Sequence, residues 1–256
     1  MRSRNRFLIQ CCLALTSLWS CSGVVNHFVD PVSMPIFTAP GQGEIQVNYT
    51  SHSKFYIEGA YALPYQFAIV AKHTSWQHNL ANDQSMSSVA AGKFWTPGNG
   101  SMFMLLGGYG VGSQRFGPNY QLPDYMSNSE TSLDGSSDFR KYFFEALFAE
   151  RDSINLFGRA QPPLLNSWGV AARVESLNQY RFNQIAHTRG SYDPTIPEFT
   201  YSSSPQHNSA IDLACFTTFG MGFLELFGEA QIRFTSPFYT DYVDHLVFTC
   251  GLRFSF

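Results

Sequence analysis

Two stretches of alternation decide the fold: GFLELFGEAQIRFT at residues 222–235 and LVFTCGLRFSF at residues 246–256. In the first, Leu224, Leu226, Gly228, Ala230, Ile232 and Phe234 fall on one face, and Phe223, Glu225, Phe227, Glu229, Gln231 and Arg233 on the other. In the second, Leu246, Phe248, Cys250, Leu252, Phe254 and Phe256 alternate with Val247, Thr249, Gly251, Arg253 and Ser255. A period of two belongs to a β-strand whose faces meet different surroundings. All the charges lie on one of those faces, and the apolar set runs to the last residue. As the edge of a soluble sandwich, so aromatic an ending would invite strand pairing and aggregation; a closed barrel pairs the edge, and a bilayer accepts its outer face.

The same rule extends upstream. Ile45, Val47 and Tyr49 alternate with Glu44, Gln46 and Asn48, and Val170, Ala172 and Val174 with Arg173 and Glu175. Residues 101–112 are less polar on both sides, but one set ends in Gly108, Gly110 and Gly112, which would relieve crowding in a narrow lumen. The pattern predicts strands over 43–50, 54–63, 66–75, 86–96, 101–112, 138–158, 167–182, 208–219, 222–235 and 243–256. The expected fold is therefore an all-β, antiparallel transmembrane β-barrel of about ten strands, with eight or twelve as the other even counts. Connection lengths support ten. Short turns at 64–65, 97–100, 162–165 and 220–221 fall at one end, and the Ser-, Asn-, Pro- and Gly-rich stretches 113–137 and 183–207 at the other, as short periplasmic turns and long outer loops should.

Composition agrees. Of 256 residues, only 14% are charged while 16% are aromatic, with 24 Phe and 13 Tyr, which suits a sheet with an apolar face. No run of eighteen apolar residues follows residue 20, so only strands are expected to cross a membrane. The net charge is −3 and basic residues are scattered, which argues against nucleic acid as a partner.

The amino terminus carries Arg2, Arg4 and Arg6 ahead of a mostly apolar run from Phe7 to Trp19, the layout of an export signal. Leu18-Trp19-Ser20-Cys21 resembles a lipobox, although Trp19 departs from the small residue usual there. On that reading residues 1–20 are a lipoprotein-type signal peptide and Cys21 is the lipid attachment point, anchored on the periplasmic side; the alternative is ordinary cleavage near Ser22-Gly23. Residues 21–42, with Pro31, Pro35, Pro40, Gly41 and Gly43 following, read as an extended tether into a barrel spanning 43–256.

Gly43-Glu44-Ile45-Gln46, Gly107-Gly108-Tyr109-Gly110-Val111-Gly112, Lys141-Tyr142-Phe143-Phe144 and Gly251-Leu252-Arg253-Phe254-Ser255-Phe256 together resemble an uncharacterised family of Bacteroidota outer-membrane β-barrel lipoproteins. The resemblance implies fold and location and brings no catalytic residues. Phe254 and Phe256 also resemble the C-terminal assembly signal of outer-membrane barrels, which implies the outer-membrane assembly machinery as a partner beside the lipid bilayer.

Glu58, Arg173, Glu175, Glu225, Glu229, Arg233 and Arg253 form the expected interior polar cluster. Around ten strands the lumen is narrow, so these charges are expected to fill and ion-pair it rather than line a wide pore. The function expected is structural or interaction-based, with loops 113–137 and 183–207 meeting an extracellular ligand or protein, no cofactor and no catalysis. Two alternatives carry distinct signatures. A hydrolase or acyltransferase with a rim site would draw on His73, His78, His187 or His207 with Asp83, Asp138 or Asp193. A soluble periplasmic barrel binding an apolar ligand would turn the apolar set inward. Metal binding needs converging ligands, which the spacing of His73 and His78 does not supply. Cys215 and Cys250 sit on the apolar face with one strand between them, about 9–10 Å apart by interstrand spacing, too far for a disulfide. Tyr49, Tyr61, Trp76, Trp95, Tyr109, Trp168, Tyr239 and Tyr242 fall near strand ends, where amphipathic rings favour a membrane interface.

Overall fold

The computed structural model describes residues 30–51, 54–79, 82–98, 100–121, 130–154, 164–189, 199–202, 206–221, 223–236 and 246–256. The strands are β1 (Gly43–Thr50), β2 (Lys54–Leu63), β3 (Phe67–Asn79), β4 (Asn82–Gly98), β5 (Ser101–Gln121), β6 (Glu130–Ile154), β7 (Leu164–Arg189), β8 (Phe199–Ser202), β9 (Gln206–Met221), β10 (Leu224–Ser236) and β11 (Leu246–Ser255). Neighbours pair antiparallel around the circle β1 to β7, then β9, β10 and β11, and β11 returns to β1 with Glu44 opposite Ser255 and Ile45 opposite Phe254. Ten strands thus close the wall. The four-residue β8 pairs with β7 over residues 183–186, on the edge of β7 that β9 occupies over 164–179, so it extends the wall above β9 without adding a strand to the circle. The Gly43 N–H donates to the Phe256 carbonyl (2.8 Å) and the Phe256 N–H to the Gly43 carbonyl (2.9 Å), so the aromatic terminus is an occupied seam instead of an open edge.

Closure sorts the two faces as alternation predicts. On β10, Leu226 is 62% exposed and Glu229 4%. Ile45, Ile57, Ile69, Val89, Phe103, Phe144, Val170, Leu213 and Leu252 continue the exposed apolar belt around the wall. This is the reverse of what a soluble apolar-ligand barrel requires, and the structure corrects that alternative. Among the described residues no helix is long and apolar enough to cross a membrane. Cys215 on β9 and Cys250 on β11 flank β10, and neither is in a disulfide.

One end of the barrel is defined by tight connections. Pro64–Gln66 makes a single 3-10 turn in which Tyr65 (φ 60°) and Gln66 (φ 62°) adopt left-handed backbone, and Gly98 (φ 103°) and Gly100 (φ 79°) shape the next turn. Gly43 and Phe256 lie at this end. Aromatic neighbours edge the belt here: Trp95 stacks on Phe103 (5.6 Å between centroids) and Phe148 meets Trp168 edge-on (5.8 Å). Tyr109 and Tyr142 (5.1 Å) pair further up the wall. The side chain of Trp76 and all of Tyr239 and Tyr242 lie outside the described residues.

At the other end the strands overshoot. A tilted membrane strand needs roughly 9–11 residues, yet β5, β6 and β7 have 21, 25 and 26. Their outward positions change character along the way. Exposed Tyr142 gives way to Arg140, Val111 to Ser113 and Arg115, and Val174 to Ser176. The wall therefore stands beyond its apolar belt as protruding hairpins. This corrects the expectation of loops at 113–137 and 183–207, because residues 113–121, 130–137, 183–189 and 206–207 are paired strand and 199–202 form β8. Beyond the belt the outward positions turn polar, so the amphipathic alternation that signals a strand disappears while backbone pairing continues.

The glycine stripe of β5 performs the space-making role expected of it. A Cβ on Gly112 would fall 2.4 Å from the Phe139 ring and 2.5 Å from the Ser85 carbonyl oxygen, and one on Gly108 2.2 Å from the Phe143 ring. Gly112→Ala is expected to destabilise the barrel by about 1–3 kcal/mol, the usual cost of overpacking, read as a lower urea midpoint for loss of the compact gel band.

Candidate functional site

Chemistry concentrates in the lumen, and the lumen is occupied by the chain's own amino-terminal segment. Residues 30–37, Asp-Pro-Val-Ser-Met-Pro-Ile-Phe, run as an extended strap inside the wall, with every one of these residues buried. Over the described part of the stretch read from sequence as a tether, residues 30–37 are buried in the barrel and residues 38–41 bend and turn ahead of β1. Cys21 and residues 22–29 lie outside the described residues.

A strap in a barrel can form no ladder unless it joins the wall, so its backbone must be satisfied by side chains. Two of its eight residues, Pro31 and Pro35, have no N–H to satisfy. Wall acceptors take N–H groups of the others. Glu229 (3.3 Å) and Gln231 (3.2 Å) accept from Val32, Glu145 (3.4 Å) from Ser33 and Glu44 (2.6 Å) from Ile36. Wall cations serve the carbonyls. Arg173 donates to the Asp30 and Pro31 carbonyls, Lys72 to that of Pro31, and Arg253 to that of Met34 (2.6 Å).

Asp30 adds a charge to this backbone recognition. Its carboxylate lies 2.7 Å from the Lys141 ammonium, 3.5 Å from Lys72 and 3.5 Å from the Arg173 guanidinium, and accepts from the Thr74 hydroxyl (2.9 Å). Behind it, Asp212 binds Arg173 (2.7 Å) and Arg233 (2.8 Å), Glu175 binds Arg233 (2.7 Å), and Glu58 lies 3.7 Å from Lys72. Lower down, Glu225 meets Arg151 and Arg253, and Arg253 reaches Glu44 (3.6 Å). All of these groups are buried except Arg151, which is partly exposed.

All seven residues of the sequence-predicted interior cluster point into the lumen. The structure joins to them Glu44, Lys72, Lys141, Glu145 and Asp212, and above all Asp30, none of which sequence reasoning had placed in that cluster. The interior is also less uniformly polar than expected. At the short-turn end Phe37 packs on Phe94 (5.6 Å) among Met102, Met104 and Leu147, and Phe216 stacks on Phe227 (6.0 Å) beneath the Arg253 guanidinium. Above the charged layer Met86, Phe139 and Leu177 form a second apolar cluster, where Gln84 donates to Gln114 (2.9 Å). Much of the buried charge lies in the layer that holds the strap, where a backbone must be satisfied.

Of the candidate catalytic partners, His73, Asp83 and Asp138 have described side chains. His73 is on the outer face, hydrogen-bonded to the Ser87 hydroxyl (2.9 Å), and Asp83 is exposed on the outer face of β4. Asp138 sits on β6, in register with Ser113 and Arg181. The side chains of His78, His187 and His207, and all of Asp193, lie outside the described residues. Among the described residues no group of three or more His, Cys, Asp or Glu is arranged to hold a metal. Phe254 faces outward on β11, and Phe256 ends the seam.

No family model and no curated protein matches the chain. Among solved structures it is similar to the KdgM porin in complex with disordered oligogalacturonate (8% identity, 84% of this chain and 99% of that one, TM-score 0.32). It is also similar to the β domain of the Bordetella autotransporter BrkA (9%, 83% and 96%, TM-score 0.25) and to the ferripyoverdine receptor of the outer membrane of Pseudomonas aeruginosa (10%, 78% and 38%, TM-score 0.25). Likeness at this level transfers no function. The pairing and faces of the chain itself define its class: a closed, ten-stranded β-barrel of the outer-membrane type, with its lumen filled by an amino-terminal strap.

Asp30→Asn is expected to destabilise the folded barrel by about 3 kcal/mol, because it removes the buried carboxylate that Lys72, Lys141 and Arg173 share. The check is the urea midpoint of the compact gel band, with Lys141→Met added to the same chain recovering part of the loss if the pair is coupled.

Proposed function

We propose that this chain is an outer-membrane β-barrel lipoprotein, acylated at Cys21 after removal of residues 1–20, that acts through its outer hairpins in a structural or interaction role and provides no wide pore. The observation that carries this reading is the filled lumen. Of the interior charges that a conduit or a solute site would use, Glu44, Lys72, Lys141, Glu145, Arg173, Glu229 and Arg253 are engaged by the strap, at 2.6–3.4 Å for the carboxylates that accept its N–H groups. What remains available to the outside is the wall above the belt, built from the 113–137 and 183–207 regions, where an extracellular ligand or protein would dock.

The same reading assigns the other contacts. The apolar belt meets the lipid bilayer, and Phe254 and Phe256 address the outer-membrane assembly machinery. This reading assigns no catalytic role; His73, whose side chain is described, bonds the Ser87 hydroxyl on the outer face.

Outer-membrane fractions run on a detergent gel with and without boiling should show a band that migrates as a compact barrel until heated. The same protein in a planar bilayer should conduct no more than background, and the mature amino-terminal peptide should carry the mass of acyl chains on Cys21. A soluble protein whose mobility ignores heating would overturn the membrane reading. Stable, porin-sized conductance would overturn the closed lumen.

A further inference from the structure

The backbone of the wall closes without help from the strap inside it. Residues 30–37 pair with no strand, whereas β1 is laddered on both sides, to β2 from Gly43 to Tyr49 and to β11 from Glu44 to Thr50. The link between strap and wall, residues 38–41, is exposed and held by bonds of its own. Gln42 accepts from the Thr38 and Ala39 N–H groups (2.6 and 3.1 Å) and donates to the Thr38 hydroxyl (2.8 Å), and the Gly41 N–H donates to the Ala62 carbonyl (2.7 Å). The socket, in turn, reads what any extended peptide offers: N–H groups at Val32, Ser33 and Ile36, and carbonyls at Asp30, Pro31 and Met34. Two side chains add selectivity. The Asp30 carboxylate sits among Lys72, Lys141 and Arg173 at one end, and the Phe37 ring lies against Phe94 at the other. The fit is not exhaustive. Both Glu58 carboxylate oxygens, Oε1 of Glu145, Oε2 of Glu229 and Nη1 of Arg253 are buried with no hydrogen-bond partner among the described residues. Leaving a buried polar atom in that state costs free energy, so the socket holds more capacity than this segment uses.

We propose that the lumen is a peptide-binding site and that residues 30–37 are its intramolecular occupant. The ligand it takes is an extended, largely apolar peptide with a carboxylate at its leading end and an aromatic ring seven residues on, and such a peptide replaces the strap when supplied as a separate chain. The strap's advantage over a separate peptide is its tether, which raises its effective concentration at the socket. Cutting the exposed link removes that advantage and leaves the ladders of the wall intact. This goes beyond the role assigned to the outer hairpins, and it does not depend on the membrane reading, because it concerns the inside of a closed wall.

The full chain is produced with a protease site inserted between Ala39 and Pro40, purified in detergent as the compact gel band, and cut, with cleavage confirmed by mass. A synthetic peptide of residues 30–37, carrying a fluorophore on a short linker after Phe37, is then added in excess, and a pulse of urea below the midpoint of the compact band lets slow exchange proceed. Uncut protein, treated alike, is the control. The cut barrel is expected to keep its compact band, release its own amino-terminal fragment and take up the labelled peptide, while the uncut protein takes up little. An unlabelled Asp30→Asn peptide should compete about 30-fold less well than the unaltered one, the loss expected when one partner of a buried charge pair is removed. Three results would overturn the proposal: the compact band disappears on cutting, the fragment stays in place against excess peptide, or the Asn peptide competes as well as the Asp peptide. In each case the compact band of the uncut protein shows separately that the barrel itself stands.

Discussion

A polypeptide drawn through a closed barrel brings an unpaired N–H and C=O at nearly every residue into a place with little water, and leaving such groups unsatisfied costs several kcal/mol each in an apolar surrounding. The rest of this structure follows from how that demand is met. Proline at 31 and 35 removes two donors, carboxylates and an amide on β1, β6 and β10 accept others, and guanidinium and ammonium groups on β3, β7 and β11 cover the carbonyls. Each of those charges needs company of its own, which explains the second ring of pairs through Asp212, Glu175 and Arg233. The charged layer is thus a socket for a backbone, keyed by one carboxylate, and its ion pairs are the support for that socket.

The wall outside the socket obeys a different solvent. Its belt is apolar because lipid offers no hydrogen bonds, and the strands are tied into a circle for the same reason, since no edge is tolerated there. Beyond the belt that constraint ends, but the backbone ladder does not. The long β5, β6 and β7 carry the sheet on beyond the belt with serine, arginine and aspartate on their outer positions, and this is the surface to which the proposed interaction role is assigned.

Much of the wall was readable because a residue's face depends only on its parity. Glu225, Glu229, Arg233 and Arg253 announce the interior through strict alternation with Leu226, Ile232 and Leu252. Lys72, Lys141 and Glu145 escaped because their strands carry apolar residues on both faces: Lys141 shares the inward row with Phe139, Phe143 and Leu147, which pack the apolar layers above and below it. Continuing the parity of β6 inward from Phe143 would have found both Lys141 and Glu145. Asp30 had no such signal. It lies in a segment without periodicity, and the only local hint was a pair of prolines in an extended run.

The sequence by itself determined the wall: period-two strands with one apolar face, tight turns at one end, and an aromatic last residue that had to find a seam. Those features are local, set by alternate residues and by turn chemistry within a few positions. Only the tertiary structure decided what fills the barrel, how far the hairpins rise, and which charges answer one another. Those outcomes join residues far apart in the chain, such as Val32 with Glu229 at a separation of 197 and Met34 with Arg253 at 219. No local pattern records such a partnership, because it exists only once the wall has closed around the strap.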